Sequence, residues 1–230
     1  MLEEVERRKA RRKLFDLYPE TGPLRRELYR KHMEFFRLGA ESGVNERAMM
    51  AANRVGKTYG GGGYETALHL TGQYPDWWEG RRFSHPVDCW AAGDTAETTR
   101  DIIQLCLLGP VEDMGTGLIP GNCLIGEPSR RRGVADAVDT AAVRHVSGGV
   151  SSIGLKSYDQ GRKKFQGTAK HVVWLDEEPP QDVYTECLLR LMTTQGLMLL
   201  TFTPLSGISE VVLQYLSEDQ LAALSNGDVG

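Results

Sequence analysis

The sequence has no run of about 18 apolar residues, so we expect no membrane-spanning segment. Its amino terminus is charged and lacks an apolar core, which excludes a secretory signal peptide. The 4 cysteines and 5 histidines are scattered and show no metal-ligand spacing. We therefore expect a cytosolic protein whose thiols are reduced and mostly buried.

The sequence also lacks a strong charge of either sign. The formal net charge is −4 at pH 7, so composition does not indicate a nucleic-acid-binding protein. Basic residues are nevertheless concentrated in residues 7–13, 129–133 and 162–164. Such runs can bind phosphate backbones, but solvated helix faces and loops are more common. Both interpretations stay open for each run.

The strongest motif is a phosphate-binding loop. Residues 51–58 read Ala-Ala-Asn-Arg-Val-Gly-Lys-Thr, after a segment that favours a strand and before one that favours a helix. Lys57 would place a positive charge on phosphate oxygens, and the Thr58 hydroxyl would bind Mg²⁺. Ala51 occupies the position where the usual spacing has glycine. The predicted nucleotide-binding residues of the loop are Ala52, Asn53, Arg54, Val55, Gly56, Lys57 and Thr58.

A second motif ends in carboxylates. Residues 172–178 read Val-Val-Trp-Leu-Asp-Glu-Glu, an apolar run that suits a strand buried on both faces. Acids at the carboxyl end of such a strand lie where open α/β sheets bind ligands. We assign Asp176 to Mg²⁺ and Glu177 to the attacking water. A strand that exits into a solvated acidic turn explains this motif alone, but the two motifs together favour an ATPase with an extra catalytic glutamate.

A third motif lies at residues 197–204, Leu-Met-Leu-Leu-Thr-Phe-Thr-Pro, an apolar run that ends in hydroxyls and a proline. In motor ATPases, a polar strand end beside the carboxylate strand can sense the γ-phosphate. Thr201, Phe202 and Thr203 are therefore candidate coupling residues. An ordinary strand end is an equally good explanation.

The alternation of strands and helices predicts an α/β fold, a mostly parallel sheet with helices on both faces. Residues 143–146 and 152–156 would form an antiparallel hairpin at its edge, after a long irregular segment over 109–139. The four glycines at 60–63 lie inside a predicted helix, where either close packing or flexibility would explain them. The predicted domains are an N-terminal helical appendage (1–45) packed on the core, an ATPase core (46–218) and a loose tail (219–230).

Five segments carry a more specific signal in combination. They are Asn-Arg-Val-Gly-Lys-Thr at 53–58, Thr-Gly-Gln-Tyr-Pro-Asp-Trp-Trp at 71–78, Lys-Ser-Tyr-Asp-Gln-Gly-Arg at 156–162, Leu-Asp-Glu-Glu-Pro at 175–179 and Thr-Phe-Thr-Pro at 201–204. With them, the whole chain resembles the N-terminal ATPase domain of large terminase subunits, the DNA-packaging motors of tailed bacteriophages. Phosphate loops of that family often deviate at the leading glycine.

The resemblance implies a RecA-like P-loop NTPase that uses ATP and Mg²⁺ to move double-stranded DNA through a portal into a procapsid. It implies the portal protein and the small terminase subunit as partners, in the cytoplasm of the host cell. Copies of the chain would form a ring on the portal and be monomers when isolated. A nucleotide-binding docking module without turnover and a helicase-like ATPase are the alternatives.

The resemblance also assigns further residues. Arg54 would contact the γ-phosphate, and His32 lies in the segment where relatives place an adenine-reading glutamine. Relatives often have Phe-Arg-Gly, whose arginine acts on a neighbouring subunit, where this chain has Phe-Gln-Gly at 165–167. Arg162 is the expected substitute, with Lys163 or Lys164 less favoured. The family's nuclease domain would follow Gly230, so either the chain is a piece of a longer protein or the nuclease lies elsewhere. We expect no DNA cleavage by this chain.

Overall fold

The computed structural model describes residues 13–204 and 209–217, so the predicted tail at 219–230 and most of the first basic run lie outside the described residues. The first half of the described chain supplies the phosphate loop. Its elements are helix α1 (Lys13–Asp16), a 3₁₀ turn (Arg26–Tyr29), helix α2 (Arg30–Leu38), strand β1 (Glu46–Met50), a π-helical stretch (Lys57–Gly63) and helix α3 (Tyr64–Thr71).

The middle of the chain forms strand β2 and a long helical stretch. Strand β2 (Asp88–Gly93) is followed by α4 (Ala96–Thr98), a π-helical segment (Thr99–Gln104) and α5 (Leu105–Leu108). Thr95 caps this stretch, because its hydroxyl accepts from the Thr98 N–H at 3.1 Å.

The remaining strands include the other two motifs. The elements are strands β3 (Leu124–Arg130), β4 (Val138–Arg144), β5 (Val150–Ser157), β6 (Val172–Asp176) and β7 (Leu197–Phe202), with helices α6 (Gln181–Leu191) and α7 (Glu210–Leu213) around β7. Short 3₁₀ turns cover Val111–Asp113, Gly121–Cys123, Tyr158–Gln160, Arg162–Phe165 and Met192–Thr194.

One seven-stranded sheet has the order β1-β7-β6-β2-β5-β4-β3. The first five strands in this order are parallel, and β4 and β3 add antiparallel edge strands. Strand β7 lies between β1 and β6, with Asp176 in register with Thr201. The carboxyl ends of the three motif strands therefore meet at one edge of the sheet.

Both faces of the central strands are covered. Every residue of β6 and β7 is buried. On one face, Trp174 and Leu199 belong to the core around α3; on the other, Val173 and Leu200 belong to the core around α6. The α/β prediction with helices on both faces is confirmed. In the described ranges, no helix is long and apolar enough to cross a membrane.

The four-glycine run is explained by close packing. A Cβ atom on Gly62 would lie 2.1 Å from Trp174 Nε1, and one on Gly60 would lie 2.5 Å from Tyr18 Oη. Side chains at these positions would push the helix away from the sheet and from the N-terminal segment. The glycines therefore cost helix propensity but allow the helix after the loop to pack tightly.

The segment 109–139 is more regular than predicted. Its second half forms β3 and the first residues of β4, and β4 and β5 extend beyond the predicted hairpin strands around Gly148-Gly149. Strand β3 contains Gly126 with φ 65°, a proline at 128 and register shifts against β4. These features are typical of an edge strand, and they hide the alternation that would have revealed it.

Candidate functional site

The ends of β6 and β7 and the helix after the phosphate loop meet at the Asp176 carboxylate. The Thr58 hydroxyl donates to Asp176 Oδ1 at 2.9 Å, and the Thr201 hydroxyl donates to the same oxygen at 2.6 Å. Trp174 Nε1 donates in turn to the Thr201 hydroxyl at 2.7 Å. Residues from all three predicted motifs are thus joined by direct hydrogen bonds.

The negative charge of the Asp176 carboxylate is only partly compensated by its surroundings. It is 3% exposed, and burial raises its pKa to about 6, with Glu177 acting in the same direction. The hydrogen bonds from Thr201 and Thr58 and the charge of Lys57 only partly oppose this. A carboxylate and a hydroxyl are hard oxygen ligands, and Mg²⁺ is usually bound by one or two carboxylates together with phosphates and waters. Asp176 and Thr58 therefore fit a Mg²⁺ ion.

The Lys57 ammonium is held at the mouth of the loop. It donates to the carbonyls of Ala51 and Ala52 at 2.8 Å each and to the Thr203 hydroxyl at 2.9 Å. These contacts use its three N–H donors. They place the charge between the loop and the end of β7, and a bound anion would compete for it.

The rest of the loop is exposed to solvent. Gly56, with φ 86°, and Arg54, with φ 66°, adopt the left-handed conformation. Asn53 reaches the segment just after β7, because the Thr203 hydroxyl lies 2.8 Å from its Oδ1. The exposed loop leads directly into a helix, which is the arrangement that binds phosphate groups.

Glu177 differs from its neighbour Asp176 in both exposure and backbone. Its side chain is exposed and its φ is 64°, which is unusual for a residue with a Cβ. Its N–H donates to the Thr201 carbonyl at 3.0 Å. The Tyr158 hydroxyl lies 3.1 Å from the Glu177 carbonyl and 3.0 Å from that of Asp176. The sequence motif at 156–162 did not reveal a role for Tyr158. Its position just after a strand that ends at the edge of the site is the signal that could have identified it.

The end of β7 contacts both other motifs. Thr201 bonds the carboxylate and Thr203 bonds Lys57, whereas the Phe202 side chain is fully buried in the core around α6. The two threonines therefore lie at the site, and Phe202 packs behind it.

His32 and Arg162 are not part of this hydrogen-bonded cluster. His32 is 6% exposed, its Nδ1 lies 2.6 Å from Tyr18 Oη, and it borders a cavity of about 550 Å³ between α2, β1 and Val55. Burial lowers the pKa of His32, against the opposing effect of a hydrogen bond with the Val55 backbone. Arg162 Nε donates to Glu186 on α6 at 2.9 Å.

The fold and the clustered motifs define an α/β protein of the phosphate-loop class. Residues 48–226 match the family described as terminase large subunit, T4likevirus-type, N-terminal. The chain is 36% identical to the large terminase subunit of Salmonella phage P22 over 236 aligned residues, which cover 94% of this chain and 45% of that protein. The chain belongs to the family of terminase large subunits, and it spans less than half the length of the P22 protein.

A solved structure is also similar. It is the large terminase from the thermophilic bacteriophage D6E in complex with ADP, with a TM-score of 0.48 at 14% identity. The alignment covers 75% of this chain and 37% of the D6E chain.

Proposed function

We propose that this chain is a Mg²⁺-dependent ATPase that moves double-stranded DNA through a portal into a procapsid. One observation carries the proposal: the Thr58 hydroxyl donates to the Asp176 carboxylate at 2.9 Å, which joins the phosphate loop to the acidic strand end. The family membership supports the same activity. Phosphoryl transfer to water needs mainly positioning and charge neutralisation, and each part has a residue in place.

Each residue of the site then has a distinct role. The loop backbone and Lys57 bind the phosphates, and Thr58 and Asp176 hold Mg²⁺, which neutralises charge on the phosphate oxygens. Glu177 is exposed beside Asp176, where its carboxylate can orient and polarise the attacking water. Arg54 is exposed on the loop and contacts the γ-phosphate. The remaining loop residues, Ala52, Asn53, Val55 and Gly56, contribute backbone and conformation.

The cavity beside the loop suits the base of the nucleotide. Its apolar lining includes Phe35, Leu38 and Val55, and it is bordered by His32, from the segment where relatives place an adenine-reading glutamine. Purine bases are bound by apolar contacts with a few polar groups for orientation. A preference for ATP over GTP in binding experiments would test this part of the proposal.

Thr201 and Thr203 would couple hydrolysis to movement. Thr203 shares Lys57 with the loop carbonyls, and Thr201 shares Asp176 with Thr58, so loss of the γ-phosphate changes the partners of both hydroxyls. Strand β7 then transmits the change to α7, which packs in the same core as Phe202.

Arg162 would act on the site of a neighbouring copy in a ring. Its guanidinium is about half exposed in an ion pair with Glu186, so it can exchange that partner for a phosphate. Mixing Arg162→Ala subunits with wild type tests this: lower turnover in mixed rings than dilution predicts supports a trans role. Full rescue by excess wild type, together with unchanged rates in pure variant rings, would contradict it.

The wider assembly follows from the same proposal. The partners are double-stranded DNA, the portal protein, the small terminase subunit and further copies of this chain in a ring, all in the host cytoplasm. We propose no DNA cleavage by these residues. Incubation with supercoiled DNA and Mg²⁺ would leave the DNA intact.

The first test is calorimetry of ATP binding with Mg²⁺ to wild type and to Lys57→Ala. We expect the wild type to bind and the variant to lose binding, because the charge facing the phosphates is removed. Arg132→Ala, which removes an exposed cation that has no assigned role at the ATP site, is the control and should bind as wild type does. Equal affinity of Lys57→Ala and wild type for ATP would contradict the phosphate-loop assignment. Absence of ATP binding by the wild type and by both variants would favour a docking module.

A further inference from the structure

We propose that Tyr18 and His32, from the N-terminal segment, position the phosphate loop for nucleotide binding. Neither residue belongs to the loop or to the carboxylate strand. Tyr18 hydrogen-bonds to the first turn of the helix after the loop, and His32 lies against Gly56 in the loop itself. The inference rests on the proposed function, since it concerns the same nucleotide site.

The hydrogen bonds form a short chain. The Tyr18 hydroxyl donates to the Gly60 carbonyl at 2.8 Å. Tyr18 Oη also lies within hydrogen-bonding distance of His32 Nδ1, at 2.6 Å. The chain therefore links His32 through Tyr18 to the first turn of the helix after the loop.

His32 also touches the loop from the other end. Its ring has a hydrogen-bonding contact with the Val55 backbone, and a Cβ atom on Gly56 would lie 3.3 Å from His32 Cε1. The two side chains thus contact the backbone on both sides of Lys57 and Thr58. A movement of Lys57 and Thr58 together would therefore have to break the contacts that Tyr18 and His32 make with the backbone.

The Tyr18 hydroxyl is fixed in space by its ring. Tyr18 is 3% exposed, and burial raises its pKa above the ordinary value. Its ring makes edge contacts at centroid distances of 5.1–6.0 Å. The partners are Tyr29, His32, Phe36, Tyr64 and Trp77. Such a ring holds its hydroxyl rigidly, so the N-terminal segment acts as a fixed support beneath the loop.

Replacing Tyr18 by phenylalanine separates positioning from packing. Tyr18→Phe keeps the ring but removes both hydrogen bonds, and we expect ATP affinity with Mg²⁺ to fall about tenfold. Tyr184→Phe is the matched control, because its buried hydroxyl bonds Glu46 and Tyr215, away from the loop. Both variants would lower Tm, but only Tyr18→Phe would lower affinity.

A second pair of variants tests the other end of the chain. His32→Leu removes the hydrogen-bonding partner of Tyr18 and should weaken ATP binding as Tyr18→Phe does. His32→Asn keeps a polar group that can hydrogen-bond near the Nδ1 position, so it should retain more affinity than His32→Leu. The double variant Tyr18→Phe/His32→Leu should bind ATP with about the same affinity as either single variant, because both substitutions break the same chain of hydrogen bonds.

Hydrogen exchange provides a readout without nucleotide. Backbone amides at residues 55–61 should exchange faster in Tyr18→Phe than in wild type and Tyr184→Phe. Unchanged affinity and exchange in both Tyr18→Phe and His32→Leu would overturn the positioning role, while ATP binding by wild type would leave the proposed function standing. Absence of ATP binding by wild type would reject the proposed function, and faster loop exchange would still support the positioning role.

Discussion

Two buried polar clusters lie at opposite ends of the helical stretch after the phosphate loop, and their carboxylates are compensated differently. One carboxylate faces hydroxyls and the other faces a guanidinium. The Asp176 cluster, at the start of the stretch, consists of Asp176, Thr58, Thr201 and Trp174, and the Glu65 cluster, at its end, consists of Glu65, Arg47, His69 and Tyr74.

In the Glu65 cluster, a buried guanidinium compensates the charge of the buried carboxylate. Arg47 Nη2 lies 2.7 Å from Glu65 Oε1, and His69 Nε2 lies 3.2 Å from the same oxygen. Burial by itself would raise the pKa of Glu65, but Arg47 and the His69 hydrogen bond outweigh it and lower the pKa. The pKa of Asp176 moves the other way, because burial outweighs the hydrogen bonds from Thr201 and Thr58 and the charge of Lys57. The Glu65 cluster, which we call the closed cluster because a guanidinium contacts its carboxylate, holds β1 to α3. The Asp176 cluster, which we call the open cluster, is the one to which our proposal assigns a cation that arrives with a ligand.

The largest expected effect is on turnover, at the open cluster. Glu177→Gln removes the carboxylate that we propose polarises the attacking water, so ATP hydrolysis should fall about 10²–10⁴-fold. ATP affinity should stay close to that of wild type, since Glu177 is exposed and bonds the site only through its backbone. Phosphate release and calorimetry on the same preparation measure both. A variant that loses affinity and turnover together would place Glu177 in binding.

The closed cluster should instead respond through stability. Glu65→Ala leaves the Arg47 guanidinium buried without its partner, and the free energy of unfolding should fall by about 3–5 kcal/mol. Urea unfolding monitored by tryptophan fluorescence gives this value. The double variant Arg47→Met/Glu65→Leu removes both charges and should recover much of the loss. A single variant as stable as wild type would mean that the ion pair does not hold β1 to α3.

Thr201→Val tests whether one residue contributes both to stability and to ligand binding. It leaves Trp174 Nε1 buried without an acceptor, so the free energy of unfolding should fall by about 1–3 kcal/mol. It also removes a donor to Asp176, so the stabilisation that ADP with Mg²⁺ adds to Tm should shrink. Thr201→Ser retains the hydroxyl and is the control. A valine variant with the full ligand-induced rise in Tm would exclude Thr201 from the site.

The smallest expected effect is at Tyr158, which touches the open cluster only through backbone carbonyls. Tyr158→Phe should cost about 1 kcal/mol of stability and reduce turnover severalfold without changing ATP affinity, because the backbone at Glu177 loses a donor. Tyr184→Phe again serves as the control for loss of a buried hydroxyl. Equal turnover in the two phenylalanine variants would limit Tyr158 to a structural role.

The sequence predicts the open cluster well, because its chemistry lies in contiguous motifs at strand ends. Lys57, Thr58 and Asp176 became candidates once the two motifs were considered together, and the parallel sheet brings them to the same edge. The Glu65 cluster could not be predicted, since Arg47 and Glu65 meet only once α3 packs on β1. The same holds for Tyr18, which contacts Gly60 across 42 residues. Strand β3 was missed because glycine and proline disguise an edge strand.

The left-handed backbone at Glu177 has a consequence for how this protein can change over generations. A residue with a Cβ at φ 64° carries a conformational penalty of roughly 1 kcal/mol, which glycine would not have. Selection for thermostability alone would therefore favour glycine at this position and discard the carboxylate. Retention of glutamate there would mark selection for turnover. A collection of variants at this codon, sorted first for folding and then for ATP hydrolysis, would separate selection for stability from selection for turnover.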